Sequence, residues 1–493
     1  MLIFDTLVIR FIGSRAARMD DGARASEARF VEYIESLAQV LGYVDRAGPL
    51  KDYCTGLLLP GERKSVEPIA SIVAPWRVSA EHQSLLHFVG QSAWSDESVL
   101  AKVRELVVPA MERQGRIEAW IVDDTGFVKK GVHSVGVARQ YCGRLGKTDN
   151  CQVAVTLSIA NHQASLPIAY RLYLPEEWAN DAARRSKAHV PDDVKFRTKP
   201  EIALRQIRAA LMAGVARGVV LTDAAYGSDG GFRAGVTEMG LIYAVAVQST
   251  ISVWPPGMEP LPPKPWSGRG RKPSRTRRDA DHRPVSAKAL ATTLPKEAWR
   301  DVSWREGSNQ TLTSRFAAVR IRPATRDGKL TAPQPLEWLL IEWPEDEREP
   351  TKYWLSTLPE DTPIEVLVDT AKLRWRIERD YEELKSELGL AHFEGRGWRG
   401  FHHHATLCIA AYGFLIRERA AFPPSGPRRR EGPVLPRRPR PRGAPDPTRA
   451  PRRELDRHPA KTTDRRPRPV ARPMPVLPIV HAETTALSAL MTQ

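Results

Sequence analysis

Two apolar runs of this chain end in aspartate. Residues 117–122, IEAWIV, lead into Asp123 and Asp124, and residues 218–222, GVVLT, lead into Asp223. Buried strands read as continuous apolar runs, and ligand sites collect at strand ends. Carboxylates delivered this way suit a site for hard divalent cations, which take oxygen ligands. Thr125 and Gly126, which follow the first pair, are equally the residues of a strand running into a turn. A third acid must come from elsewhere, and residues 362–389 offer Glu378, Glu382, Glu383 and Glu387 on one expected helix. At about 100° per residue, Ile377, Tyr381, Leu384 and Leu388 form an apolar stripe. Arg374, Glu378 and Lys385 form a second stripe beside it, whereas Glu383 and Glu387 point away. Glu378 is therefore the acid held at the edge of the core between two cations. The plainer alternative is a solvated Arg–Glu pair at i,i+4 spacing.

The elements that must carry these residues form an α/β pattern. Residues 117–122, 152–159 and 167–174 read as strands, with Asn161-His162 as a tight connection between the second and third. A helix over 198–213 and strands at 218–222 and 241–248 complete a mixed sheet. The helix at 362–389 carries start signals: Thr362 as N-cap, Pro363 at the first position and Glu365 at the third, with Gly389 as its stop. Residues 26–115 read as a helical N-terminal domain, with Phe30, Tyr33, Ile34, Leu37 and Leu41 at helical spacing. Residues 116–250 and 346–420 are read as two parts of one catalytic core, the second ending in an apolar helix over 403–418. Between them, 251–345 reads as a partly β insertion domain with strands near 315–321 and 336–342. Trp254, Trp266, Trp299 and Trp304 fall in it, as does a basic loop, GRGRKPSRTRR, at 268–278.

The chain has 493 residues and a formal net charge of +16, which points to a polyanionic partner, most simply nucleic acid. Residues 421–493 hold 16 Lys and Arg against 6 Asp and Glu, so most of the excess lies in that tail. Its 16 prolines and 15 arginines cannot bury a core, and it is expected to be disordered; it reads as a non-specific DNA-binding tail or as an out-of-frame reading of a GC-rich gene, and the abrupt change of composition favours the second. Residues 1–25 read as an unstructured leader, with Met19 the expected working start. Asp5 and Arg10 break the first apolar stretch, so it is not a signal peptide. Cys54, Cys142, Cys151 and Cys408 show no metal-binding or disulfide spacing, and a reducing cytoplasm is expected. No apolar run has the length of a membrane span, and no membrane partner is expected.

Three blocks together resemble a known family. Residues 121–157 (IVDDTGFVKKGVHSVGVARQYCGRLGKTDNCQVAVTL), 222–232 (TDAAYGSDGGF) and 374–404 (RWRIERDYEELKSELGLAHFEGRGWRGFHHH) are similar, in this order, to the core of insertion-sequence 701 family transposases. These belong to the DDE superfamily, near the insertion-sequence-4 group, and have a ribonuclease-H-like fold. The resemblance covers residues 25–420. It implies cut-and-paste DNA transposition with two Mg²⁺ ions, for which Mn²⁺ can substitute, and Asp124, Asp223 and Glu378 as catalytic and metal-binding triad. Asp124 is preferred to Asp123 because the related motif has its acid directly before threonine. Arg374, Glu378 and Lys385 match the last three members of the group's Tyr-x2-Arg-x3-Glu-x6-Lys signature, and Ala371 stands where its tyrosine would fall. Arg374 and Lys385 would hold phosphate, Arg as a fork and Lys as a point charge. The insertion would touch element-end DNA, through Arg269, Arg271 and Lys272 of its loop and with one tryptophan stacking on a base. The expected partners are double-stranded terminal inverted repeats and target DNA, bound by a homodimer associated with a prokaryotic nucleoid.

Two further clusters remain. Lys129, Lys130, His133, Arg139, Arg144 and Lys147, with Tyr141 among them, read either as a solvated hairpin face or as DNA-backbone contacts. His402, His403 and His404 point about 100° apart on a helix, which disfavours chelation and leaves polar helix-start residues or DNA contacts. Two rival functions use the same residues: an inactive DNA-binding remnant of a mobile element, and a host ribonuclease-H-like nuclease without strand transfer. Terminal inverted repeats in the flanking DNA separate a mobile element from a host gene.

Overall fold

Residue 21 opens a helix, α1 (Asp21–Ala38), in a stretch rich in Ala, Arg and Glu. The computed structural model describes residues 21–305 and 311–422. The last residues of the expected leader are thus helical, while residues 1–20 and the expected disordered tail from residue 423 lie outside the described residues. Four more helices follow: α2 (Ala47–Leu58), α3 (Val66–Val73), α4 (Val78–Gly90) and α5 (Asp96–Gln114). Ser95 caps α5 by accepting from the Ser98 amide.

The sheet then begins. β1 (Ala119–Val128) pairs antiparallel along its whole length with β3 (Lys147–Ala160). The outer edge of β3 is shared by β2 (Ala138–Cys142) and β4 (Ser165–Leu172). The β3–β4 connection is fixed by Asn161, whose Oδ1 accepts the amides of Gln163 and Ala164 and whose Nδ2 donates to carbonyls of Met111 and Gly115 at the end of α5. After the short helices α6 (Glu176–Ala179) and α7 (Ala182–Lys187), helix α8 (Lys199–Met212) packs on β3. It starts with a capping box between Thr198 and Glu201. β5 (Val219–Thr222) returns parallel to β1, with Val122 level with Thr222. Helices α9 (Ala224–Gly227) and α10 (Gly230–Glu238) lead to β6 (Tyr243–Val247), parallel to β5.

The segment from residue 251 continues the same sheet. It contains β7 (Ser252–Trp254), β8 (Val285–Ser286), α11 (Ala287–Thr293), β9 (Arg300–Arg305), β10 (Thr311–Pro323) and β11 (Glu337–Trp343). β12 (Lys352–Ser356) joins β11 to the free edge of β6, so the strand order is β2-β3-β1-β5-β6-β12-β11-β10-β7-β8, with β4 on β3 and β9 on β10. This large mixed sheet, covered by helices, is the α/β architecture expected from the strand pattern and is consistent with the ribonuclease-H-like fold that the resemblance implies.

Three local expectations change. First, β1 does not turn at Thr125-Gly126. Gly126 lies in the strand opposite Val153, and a Cβ there would come within 2.9 Å of the Cys142 Sγ, so the glycine serves close packing. Second, the single helix over 362–389 is two helices, α12 (Ile364–Lys372) and α13 (Trp375–Ser386). The break has no proline. Amides of Leu373, Arg376 and Ile377 bond three residues back, which tightens the chain at the junction. Third, Thr362 makes no capping box; Pro363 occupies the N-cap without a side-chain bond.

The last helix, α14 (Trp398–Ala421), is buried over most of its circumference and ties the N-terminal helices to the sheet. Tyr33 donates to the Ala410 carbonyl at 2.9 Å, Phe30 meets Phe414 edge to face, and Ser26 and Arg29 both bond Glu418. One hydrophobic cluster therefore extends from Phe30 through the strands to Ile416.

Candidate active site

The acids gather where β5 stops pairing with β1. Val122 is the last residue of β1 aligned with β5, so Asp123 and Asp124 follow on one strand and Asp223 on its neighbour. Successive side chains on a strand point to opposite faces, and the partners of the pair differ accordingly. Asp123 Oδ2 accepts from Arg374 Nη2 at 2.8 Å, and the same guanidinium holds Glu378 Oε1 through Nη1 at 3.0 Å. Asp124 Oδ2 lies 2.6 Å from Lys199 Nζ, and its Oδ1 accepts from the Tyr226 hydroxyl. Asp223 caps α9, its Oδ1 accepting from the amides of Ala225 and Tyr226.

Burial dominates the electrostatics. It pushes the Asp123 carboxyl up to about 6 against the pull of Arg374, with Asp223 adding to the rise. Burial also raises Asp124, opposed by Lys199 and the Tyr226 hydroxyl and reinforced by Asp223. Tyr226 is pushed far above its ordinary range by burial and by Asp124, Asp223 and Asp123. Arg374 is raised because Asp123, Asp223 and Glu378 together outweigh its burial. Asp223 thus acts electrostatically on both members of the β1 pair. Carboxylates this close repel unless cations intervene, and Lys199 and Arg374 are the intervening cations.

The structure brings Asp123, Asp124 and Asp223 together and connects Glu378 to them through Arg374. Glu378 itself is 68% exposed. Among the described residues, no three His, Cys, Asp or Glu side chains converge as a metal site. The donor chemistry nevertheless fits a hard divalent cation: several carboxylates on adjacent strands, with two lysine or arginine cations balancing them. Sequence reading had no means of finding Lys199, which lies 75 residues from its partner. Tyr226 carried a weak signal, three residues after Asp223 in the same short motif.

The remaining candidates are dispersed. Lys385 turns inward, its Nζ 3.3 Å from the Gly126 carbonyl oxygen and over the ring of Phe127. Lys129 donates to the Phe393 carbonyl, while Lys130 is exposed. Arg269, Arg271 and Lys272 are exposed in an irregular loop. Of the tryptophans singled out in the insertion, Trp254 is fully buried, Trp304 lies in a hydrophobic cluster and Trp299 packs against Trp343. Trp266 is 52% exposed, with its Nε1 donating to the Gly270 carbonyl within the basic loop.

His402, His403 and His404 lie near the start of α14, as one reading had it, but they are buried, which overturns DNA contact. They lie inside α14 under the N-terminal helices. His402 accepts the Leu172 amide, His403 meets the carbonyls of Val89 and Trp94, and His404 bonds Tyr53 and the Gly389 carbonyl. Burial lowers all three to about 4.

Residues 36–311, more than half of the chain, match the family model described as DDE superfamily endonuclease, and the chain belongs to that family. The match includes Asp124 and Asp223 and stops before Glu378. A 189-residue stretch is 35% identical to a probable transposase for insertion sequence element IS701 from Microchaete diplosiphon, covering 38% of this chain. The aligned part spans 45% of that relative's length.

Proposed function

We propose that the protein is a DNA transposase that cuts and joins the ends of an insertion element by phosphodiester hydrolysis and strand transfer. The observation that carries this reading is the meeting of acids where two adjacent parallel strands stop pairing, Asp123 and Asp124 within β1 beside Asp223 at the end of β5, with α13 and Glu378 tied to them by Arg374. Membership of an endonuclease family and the likeness to a probable transposase support it.

Asp124, Asp223 and Glu378 are the proposed ligands of two Mg²⁺ ions, with Mn²⁺ an acceptable replacement. When bound, the ions supply charge neutralisation at phosphoryl oxygens and lower the pKa of an attacking water or 3′-hydroxyl. The chain's own part is positioning. Parallel pairing of β1 and β5 fixes the spacing of the aspartates, and the Asp223 N-cap bonds fix its rotamer. Arg374 sets the approach of Glu378 and, with Lys385, would meet phosphate once the acids are neutralised. No covalent protein nucleophile is needed for phosphoryl transfer of this kind. The partner is double-stranded DNA, both the element's terminal inverted repeats and the target, bound by a homodimer. Lys129, Lys130, Arg269, Arg271 and Lys272 are the proposed backbone contacts. No described helix is long and apolar enough to cross a membrane.

The test uses the DNA that flanks the gene. Purified protein incubated with a fragment carrying the element's end is expected to cut at the terminal repeat and to join it to a second duplex in Mg²⁺, and to do neither in a chelator. Cutting without joining would favour a nuclease. Binding without cutting would favour an inactive remnant.

A further inference from the structure

Lys199 is the first residue of α8, and its ammonium stands 2.6 Å from Asp124 Oδ2. The position is unusual on electrostatic grounds. The N-terminus of a helix carries partial positive charge, so a cation there is disfavoured unless an anion lies beside it. The start of α8 is rigidly set: Thr198 and Glu201 cap each other's backbone amides, and Lys199 lies 5.6 Å from the centre of the Tyr173 ring, which in turn meets Phe196 edge to face. The lysine is therefore held toward Asp124 by the helix that bears it. Both side chains keep about a quarter of their surface accessible, 27% for Lys199 and 25% for Asp124, so an ion from solvent can reach the pair. Arg374 on the other face differs. It spans two acids at once, from α13 to β1, so a single incoming ion does not release it.

We propose that Lys199 is a built-in counter-ion of Asp124 which a divalent cation must displace. The lysine holds the acids together in the metal-free protein, and metal occupancy is set by competition with it. This rests on the reading of Asp124 as a metal ligand. Its consequence is that the free protein binds metal weakly, and that anything drawing Lys199 away, such as a nearby phosphodiester, tightens metal binding.

The experiment titrates Mn²⁺ into the full-length protein without DNA and reads free Mn²⁺ by electron paramagnetic resonance. Lys199→Met and Lys199→Gln are compared with wild type, with Lys296→Met on an exposed lysine controlling for net charge; thermal melts establish that each variant is folded. Both Lys199 variants are expected to bind Mn²⁺ about two- to fivefold more tightly than wild type, the upper range of a partly exposed ion pair. The Lys296→Met isotherm should coincide with that of wild type. Asp223→Ala should lose the binding in both wild-type and Lys199→Met backgrounds. Equal or weaker affinity in both Lys199 variants, with wild-type binding still lost in Asp223→Ala, overturns the counter-ion role and leaves the metal reading standing. Failure of every protein to bind Mn²⁺ overturns both.

Discussion

Arg374, the N-cap residue of α13, reaches Asp123 of β1, Nη2 to Oδ2 at 2.8 Å, across 251 residues of chain. The contact is made at the point where α12 ends and α13 begins, so the break in the expected long helix is what turns this guanidinium toward the sheet. The other arm of the same group holds Glu378. A planar fork can serve two carboxylates at once, whereas an ammonium is a point charge on a flexible stem.

Arg374→Ala should therefore leave Asp123 buried without its partner. Breaking a buried pair from one side costs about 3–5 kcal/mol, and the upper part of that range is not expected because both side chains retain some exposure, 22% and 15%. Arg374→Lys should lie between wild type and Arg374→Ala. Urea denaturation checks the order, and equal stability of all three proteins would show that the ion pair is not formed in solution.

A second expectation concerns the acids. Asp124→Ala, Asp223→Ala and Glu378→Ala should each bind element-end DNA in a gel shift and fail to nick it in Mg²⁺. Glu382→Ala, exposed on the same helix, should retain cleavage. Asp123→Asn is the informative addition, because Asp123 and not Asp124 is the residue joined to Glu378 through Arg374. Loss of cleavage in Asp123→Asn with retention in Asp124→Ala would move the first acid of the triad by one residue.

That ambiguity marks how far the sequence was legible. The apolar runs before Asp123 and Asp223 were readable because a strand buried on both faces needs little else. The strands at 117–122, 152–159, 167–174, 218–222 and 241–248 followed from the same pattern, whereas β2, β9 and β12 did not. What could not be read depends on contacts between distant segments. Gly126 looks like a turn until Cys142 is seen to occupy the space of its missing side chain. His402, His403 and His404 look polar until α4, α2 and β4 supply their partners. Lys199 carries no local signal at all, since its meaning lies in Asp124. The strands β9 to β12 extend the central sheet because β12 finds the edge of β6, a pairing that no spacing rule encodes.

The basic loop of the insertion offers a test of DNA contact. Arg269, Arg271 and Lys272 are exposed beside Trp266, the most exposed of the insertion's described tryptophans. Each phosphate contact contributes about 0.9 to the slope of log affinity against log salt on duplex DNA. Replacing all three by Ala should flatten that slope by about two to three units if all three touch phosphate. Trp266→Ala should leave the slope unchanged and weaken binding by about 1–3 kcal/mol if the ring stacks on an unpaired base. An unaltered slope in the triple variant would place the DNA elsewhere.

The last expectation is a pH dependence of folding stability. Asp380 on α13 is buried, accepts hydrogen bonds from Ser165 and Tyr412, and bonds no cation among the described residues. Burial pushes its carboxyl up to about 6 from the ordinary 3.8, the two hydroxyl donors and the more distant Arg376 recovering only part of the shift. A folded-state pKa above the unfolded one means that the folded protein holds the proton more tightly. Its contribution is then fully present below the unfolded value and is lost as pH rises through the folded one. The window runs from about pH 4 to just above pH 6, and at 1.36 kcal/mol per pKa unit the swing is about 3 kcal/mol. Asp380→Asn is uncharged throughout and should remove this swing. Relative to wild type, the variant should therefore be less stable or equal at pH 4 and gain about 3 kcal/mol by pH 7.5. Urea melts of both proteins at the two pH values measure the difference, in which the titration of all other groups cancels. A wild-type–variant difference that is the same at pH 4 and pH 7.5 would mean that Asp380 does not titrate in this window.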